Sequence, residues 1–324
     1  MDRPMNELPT RYFIDLTQPE IAAQLKKNPL VIFPAGSVEQ HGPHLPTGTD
    51  IFASNAIGHA VAECMDGLVL PGGPLGVTPM HMPFEGTITL TPETYMSVVK
   101  ETCVSTAKHG ARRCLILNWH EGNIPSLSIA ADSLHRDHGM SVVTVQACYI
   151  AAELYGHECG GLTHGGEIEA LAILAYRPEL VHLDRIDYSS DAEHGKRMDK
   201  LRRTRTFQPV LSDIRSIAAT GWYGSPEHAT VEKAQRMLED IADAIAKEAT
   251  EIFRQLDGVQ GGEVGSRLVG EEGADGFGVG GLRREGEVEG RGLGVMANVV
   301  VGFIQGQGEV EVGDGKTDLG KDQL

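Results

Sequence analysis

The chain is poor in positive charge. Its 324 residues hold 28 lysines and arginines against 45 aspartates and glutamates, a formal net charge of -17. Nucleic-acid backbones are gripped by clustered basic side chains, so this balance argues against such a partner. Also missing are an apolar run long enough to span a bilayer and a secretory core at the N-terminus, so neither a membrane role nor export is expected. Cysteine is sparse. Cys64, Cys103, Cys114, Cys148 and Cys159 are odd in number, scattered and without a CxxC pair. That pattern argues against a zinc–cysteine site and implies reduced thiols in a cytoplasmic protein. A hydrophobic fraction of 41% is ordinary, and at this length it provides a sizeable core.

The first 257 residues alternate strand-like and helix-like segments. Leu30 to Pro34, Leu68 to Pro71, Arg113 to Trp119 and Ser141 to Ala147 read as strands. Helices are expected at 51–65, at 92–109 behind Thr91 and Pro92, at 124–138, at 167–176 and along 226–256. Such alternation predicts an α/β domain, with a mostly parallel central sheet covered by helices on both faces. From Gly258 onward the composition changes: 20 glycines fall in 67 residues, with no proline. The segment 258–324 reads as a flexible or disordered tail appended to a domain at 1–257.

Chemistry-bearing residues gather in three runs, two of them placed just beyond a strand, where ligands bind in open α/β sheets. The first is Gly36-Ser-Val-Glu-Gln-His-Gly-Pro-His-Leu-Pro-Thr-Gly-Thr-Asp50, with Glu39, His41 and Asp50 in twelve residues. The second is Asn118-Trp-His-Glu-Gly-Asn123, with His120 and Glu121. The third is Thr163-His-Gly-Gly-Glu-Ile-Glu169, with His164, Glu167 and Glu169. Mixed imidazole and carboxylate donors in this number suit two divalent ions that share one carboxylate, with zinc, manganese or iron as the candidates. The Asp199–Arg205 charge run reads as a solvated face, and His81 receives no role.

These runs resemble the motifs of the creatininase family of metal-dependent amidohydrolases. Glu39-Gln-His-Gly-Pro-His-Leu-Pro-Thr-Gly-Thr-Asp50 is similar throughout to that family's first block. The second run resembles Asn-Gly-His-Gly-Gly-Asn, with Trp119 and Glu121 in place of glycines. The third is similar to His-Ala-Gly-x-x-Glu-Thr-Ser. A stretch from Gly221 to Lys233 resembles a fourth block. The resemblance covers roughly residues 10 to 256.

The resemblance implies a creatininase-like three-layer sandwich with one ion held by Glu39, Asp50 and His120. The other would be held by His41, Asp50 and Glu169, with Asp50 as the bridge. It places His164 beside the pair as an acid/base group or substrate clamp. Glu121 could reach a metal or a substrate amine, and Trp119 and Asn123 would touch substrate. The family's name-giving member has a glutamate ligand two residues after the histidine of the second run, where this chain has Gly122. That member also has a lid tryptophan shortly before the histidine of the third, which this chain lacks. The activity implied is hydrolysis of a non-peptide C–N bond in a small cyclic amide, lactam or formamide, by a homo-oligomer of hexameric type. Cyclic-ketone ring opening, peptide maturation and a lapsed metal-binding protein are the alternatives.

Overall fold

The computed structural model describes residues 8–73, 75–187, 192–203 and 209–260. Nearly all of the expected tail, from residue 261 on, lies outside the described residues.

Helix α1 (Gln18–Lys27) begins at Thr17, whose backbone N–H and hydroxyl both donate to the Glu20 carboxylate. Strand β1 (Leu30–Ala35) is buried along its whole length. Then come α2 (Thr49–Met65), β2 (Leu68–Val69), α3 (Pro92–Lys108) and β3 (Arg113–Asn118). Thr91 caps α3 through its hydroxyl, which accepts from the Thr94 N–H at 3.3 Å, and Pro92 occupies the first turn. The second half holds α4 (Ile124–His138), β4 (Ser141–Gln146), α5 (Ala147–Tyr155), α6 (Glu167–Leu174), α7 (Ala192–Arg202) and α8 (Val231–Gln260).

Among the described residues four strands lie in the order β2-β1-β3-β4, and every pairing is parallel. Alternate side chains of each strand enter opposite layers, as the two-residue period of a strand requires. Leu30, Ile32, Leu115 and Leu117 pack with residues of α2, α5, α6 and α8. Val31, Phe33, Cys114 and Ile116 pack with residues of α1, α3 and α4. The sheet is thus covered on both faces, which is the expected three-layer arrangement. Strand β2 is shorter than its apolar run suggested, since only Leu68 and Val69 pair with β1.

Two boundary shifts matter for the site. Helix α2 starts at Thr49, so Asp50 stands in its first turn, where the backbone is fixed and the helix dipole favours a negative charge. Helix α8 starts at Val231, because Pro226–His228 forms a separate 3₁₀ turn. The exit of β1 and the start of α2 touch backbone to backbone. A Cβ on Gly36 would lie 2.5 Å from the Asp50 carbonyl carbon and 2.6 Å from the Ile51 nitrogen. Replacing Gly36 by alanine should therefore force the two segments apart and cost about 1–3 kcal/mol. Urea unfolding reads this directly; an unchanged midpoint would show that the close approach is dispensable.

Candidate metal centre

Strands β1 and β3 end in register at Ala35 and Asn118, so the segments that leave them run side by side. The first carries Ser37, Glu39 and His41; the second carries His120. The first turn of α2 adds Asp50 and that of α6 adds Glu169, with His164 on the loop before α6. Glu39, His41, Asp50, His120 and Glu169 are all buried.

Their donor atoms form overlapping groups within 4.8 Å: Glu39, Asp50 and His120; His41, Asp50 and Glu169; and Glu39, His41 and His164. Asp50 presents one oxygen to each side, Oδ1 at 3.3 Å from His41 Nε2 and Oδ2 at 3.2 Å from His120 Nδ1. Glu39 Oε2 lies 3.2 Å from His120 Nδ1, and Glu169 Oε2 lies 3.7 Å from His41 Nε2. Backbone carbonyls fix the imidazoles. A carbonyl only accepts, so His41 Nδ1–H donates to Glu39 O at 3.1 Å and His120 Nε2–H donates to Val77 O at 3.1 Å. The other nitrogen of each ring, His41 Nε2 and His120 Nδ1, points at the carboxylates, where it holds a proton in the absence of a cation and would offer a lone pair to a bound one. His41 Nε2 is buried and has no hydrogen-bond partner among the described residues. The donor set thus fits divalent cations.

Other side chains hold the carboxylates in place. The Ser37 hydroxyl lies 2.8 Å from Glu39 Oε2 and 2.6 Å from Asp50 Oδ2, and Thr78 Oγ1 also donates to Glu39. Gly165 N–H donates to Glu169 at 2.5 Å. His44 Nε2–H donates to Gly165 O at 2.7 Å and so braces the loop that carries His164.

Protons carry the charge balance of this cluster. Burial pushes Glu39 up, but the neighbouring His120 and His81 outweigh it and leave Glu39 well below its usual range. Asp50, despite burial and the Glu39 charge, is drawn down to about 2 by His41 and His120. Burial alone would lower His41; the Glu169 and Asp50 charges reverse that and raise it to about 10. Glu169 is raised to about 7, chiefly by burial. His164 goes the other way: burial, then the neighbouring His41 and His81 imidazoles, hold it well below its usual value and so neutral. Its Nε2–H donates to Gln40 O at 2.7 Å, and its Nδ1 faces Glu39 at 3.8 Å.

Several placements differ from the sequence reading. His81, assigned no role, is buried with Nε2 at 3.6 Å from Glu39 and its ring 4.4 Å from that of His164. It reaches the centre from a proline-flanked turn that no periodicity marks. Asn123, expected at substrate, instead spends its amide on structure: it donates to Gly36 O and accepts from Val77 N–H, both at 2.9 Å. Glu121, expected to act on metal or substrate, is outside all three donor groups. Arg203 grips it side-on through Nε at 2.8 Å and Nη2 at 3.3 Å; Arg202 and the Tyr149 hydroxyl bind it as well. Burial pushes Glu121 up, yet the two guanidiniums take it down to about 2, which leaves it no proton to exchange near neutrality. The charge run at 199–205 is no solvated face where it is described: Asp199 is buried, and Arg202 and Arg203 line the cavity. Trp119 lines the cavity, with an indole N–H that has no partner among the described residues. Cys148 and Cys159 have their thiols pushed up by burial, which argues against a thiolate nucleophile.

The cavity above the cluster measures about 360 Å³. A parallel sheet with such a donor cluster beyond its strand ends is the architecture of an α/β metallohydrolase. The family model described as "Creatininase: Creatinine amidohydrolase" matches residues 14–249, and the chain belongs to the creatininase family of hydrolases. It is 31% identical over 227 residues to the "Mycofactocin precursor peptide peptidase" of Mycobacterium ulcerans, covering 66% of this chain and 82% of the relative. It is 29% identical over 261 residues to the "Creatinine amidohydrolase" of Pseudomonas putida, covering 72% and 95%. The solved structure "Creatininase Mn" superposes with a TM-score of 0.62 at 26% identity, covering 75% of this chain and 98% of that one.

Two outcomes follow from this geometry. Ser37→Ala removes the hydroxyl shared by Glu39 and Asp50 and should weaken divalent-metal affinity by roughly 10–100-fold, read by competition with a chromogenic chelator. Protons and cations compete for the same atoms. Glu169 has a raised pKa, so the folded chain keeps that proton up to about pH 7 and must release it to take a cation. Metal affinity should fall as pH drops through 7, and uptake in weak buffer should acidify the solution; a pH-independent affinity between 6 and 8 would contradict the assignment.

Proposed function

We propose that this creatininase-family hydrolase cleaves a C–N bond of a small amide at a dinuclear metal centre. The observation that carries the reading is Asp50, whose two oxygens face two separate groups of buried donors. Glu39 and His120 would complete one ligand set, and His41 and Glu169 the other. Divalent ions bound there supply Lewis acidity, polarising an amide carbonyl and making water acidic enough to attack near neutral pH.

The residues do the rest. Asp50 and Glu39, pinned by Ser37 and Thr78, fix the spacing of the two ligand sets. His164, held neutral and hydrogen-bonded through Nε2, keeps Nδ1 free to take a proton at the centre and pass it to the departing nitrogen. Trp119 forms a wall against substrate and offers its indole N–H. The walls formed by Met80, Leu162, Leu211, Ile214 and Ile217 are apolar and exclude water around the reacting amide.

A cyclic amide, lactam or formamide is the substrate class this resemblance favours. A peptide bond is the second reading, supported by the peptidase name of the Mycobacterium ulcerans relative and by the apolar wall. Self-association and a cytoplasmic setting belong to the same proposal. The five free thiols fit a reducing compartment, and no helix among the described residues is long and apolar enough to cross a membrane.

Metal analysis of the purified full chain should find two divalent ions per chain, and a screen over cyclic amides, formamides and short peptides should show hydrolysis that chelator abolishes and zinc or manganese restores. Asp50→Asn should lose both ions together with activity. One tightly held ion with no turnover on any member of the screen would point instead to a metal-binding protein without catalysis.

A further inference from the structure

Beyond the donor cluster, the same cavity has one strongly charged wall. It is built from α7 and the residue after it, where Arg202 and Arg203 lie beside each other. Four charges meet there. Arg202 donates through Nη2 to Glu121 and, at 2.7 Å, to Asp199, while its Nε reaches Asp199 at 3.2 Å. Arg203 holds Glu121 side-on, lies 2.5 Å from Asp199 through Nη1, and also donates to Leu162 O at 3.1 Å.

The exposures order these charges in depth. The Asp199 and Glu121 side chains are 4% and 17% exposed, whereas those of Arg202 and Arg203 are 24% and 28% exposed. Asp199 stands behind the arginines, off the cavity lining, while Glu121 reaches the lining beside both guanidiniums. The two acids neutralise the cost of burying two cations and lock their planar forks in one orientation. Arg202 keeps one donor nitrogen, Nη1, without a hydrogen bond among the described residues. A solvated surface pair would not be arranged this way, and the structural network alone does not use that nitrogen.

We propose that Arg202, supported by Arg203, is a carboxylate-binding subsite, so that the substrate is an amide carrying a free carboxylate some distance from its scissile bond. This rests on the amide-hydrolase reading and narrows its substrate class. The amide carbonyl would lie at the donor cluster while the carboxylate is held by the guanidinium fork, with the apolar wall between them receiving the intervening carbon skeleton. Glu121 and Asp199 are positioning residues in this arrangement, acting through the arginines.

The test uses the metal-loaded full chain and two probes of one shape, 3-phenylpropanoate and 3-phenylpropanamide, with affinities measured by calorimetry. The acid should bind about tenfold more tightly than the amide, the scale of one charge-assisted fork. Arg202→Gln should abolish that preference with metal content unchanged, and the charge-balanced double variant E121Q/R202Q should do the same if the single variant folds poorly. A preference that survives both variants would place the carboxylate on the metals and overturn the subsite; so would equal binding of acid and amide by the unaltered chain. Hydrolysis separates this from the parent reading. N-acyl amino acids and short peptides with free C-termini are compared with their C-terminal amides. Equal turnover of both sets overturns the subsite and leaves the amidase reading standing. Arginine-dependent binding without turnover of either set keeps the subsite and overturns the amidase reading. A preference for free acids of the N-acyl or of the peptide series identifies which source of carboxylate the wall accepts.

Discussion

Three carboxylates, Glu39, Asp50 and Glu169, are held within a few ångströms of one another in the interior of this protein, and much of the surrounding structure serves to make that tolerable. Buried like charges are unstable unless something positive lies between them. Here the compensation comes in layers: protonated His41 and His120 against the oxygens, hydroxyls of Ser37 and Thr78, and the Gly165 N–H. The backbone supplies the frame. Two strands ending in register and two helices beginning at the same edge bring five side chains to one point without long flexible arms. A cation in this place removes the need for those protons, which is why the cluster reads as a metal centre rather than as an ionic core.

How much of this was legible in the chain depended on sequence distance. The run from Glu39 to Asp50 is contiguous, follows a strand and carries its own turn chemistry, so its convergence could be anticipated. The parallel sheet was equally open, since β1 is an unbroken apolar run and β3 and β4 carry the apolar stretches Cys114–Leu117 and Val142–Val143. His81 was not, because it meets Glu39 from 42 positions away in an irregular segment. Arg202 and Arg203 were further out of reach: a run of one acid and several basic residues looks the same on a solvated helix and on one whose acid is turned inward. Asn123 misled for another reason. Its motif position is near the chemistry, but its amide closes a gap between Gly36 and Val77, and a polar residue beside a site can equally be part of the masonry.

The candidate site divides along the architecture. The potential metal donors Glu39, His41 and His120 stand just beyond the strand ends, set by the sheet itself. The walls that meet a substrate come from later irregular segments and from α7, tied down by a handful of side chains such as Glu121. Differences there leave the centre intact while altering shape and charge. That is consistent with relatives at about 30% identity bearing the names of a peptidase and of a creatinine amidohydrolase.

The smallest residue near the centre closes off a route of change. A side chain on Gly122 would begin 2.4 Å from both His120 Nε2 and the Val77 carbonyl oxygen, across the hydrogen bond that orients that imidazole. A carboxylate therefore cannot simply be gained at this position by one substitution, because any side chain there collides with the imidazole and the carbonyl that orients it. A lineage that acquired one would have to move the His120 turn first.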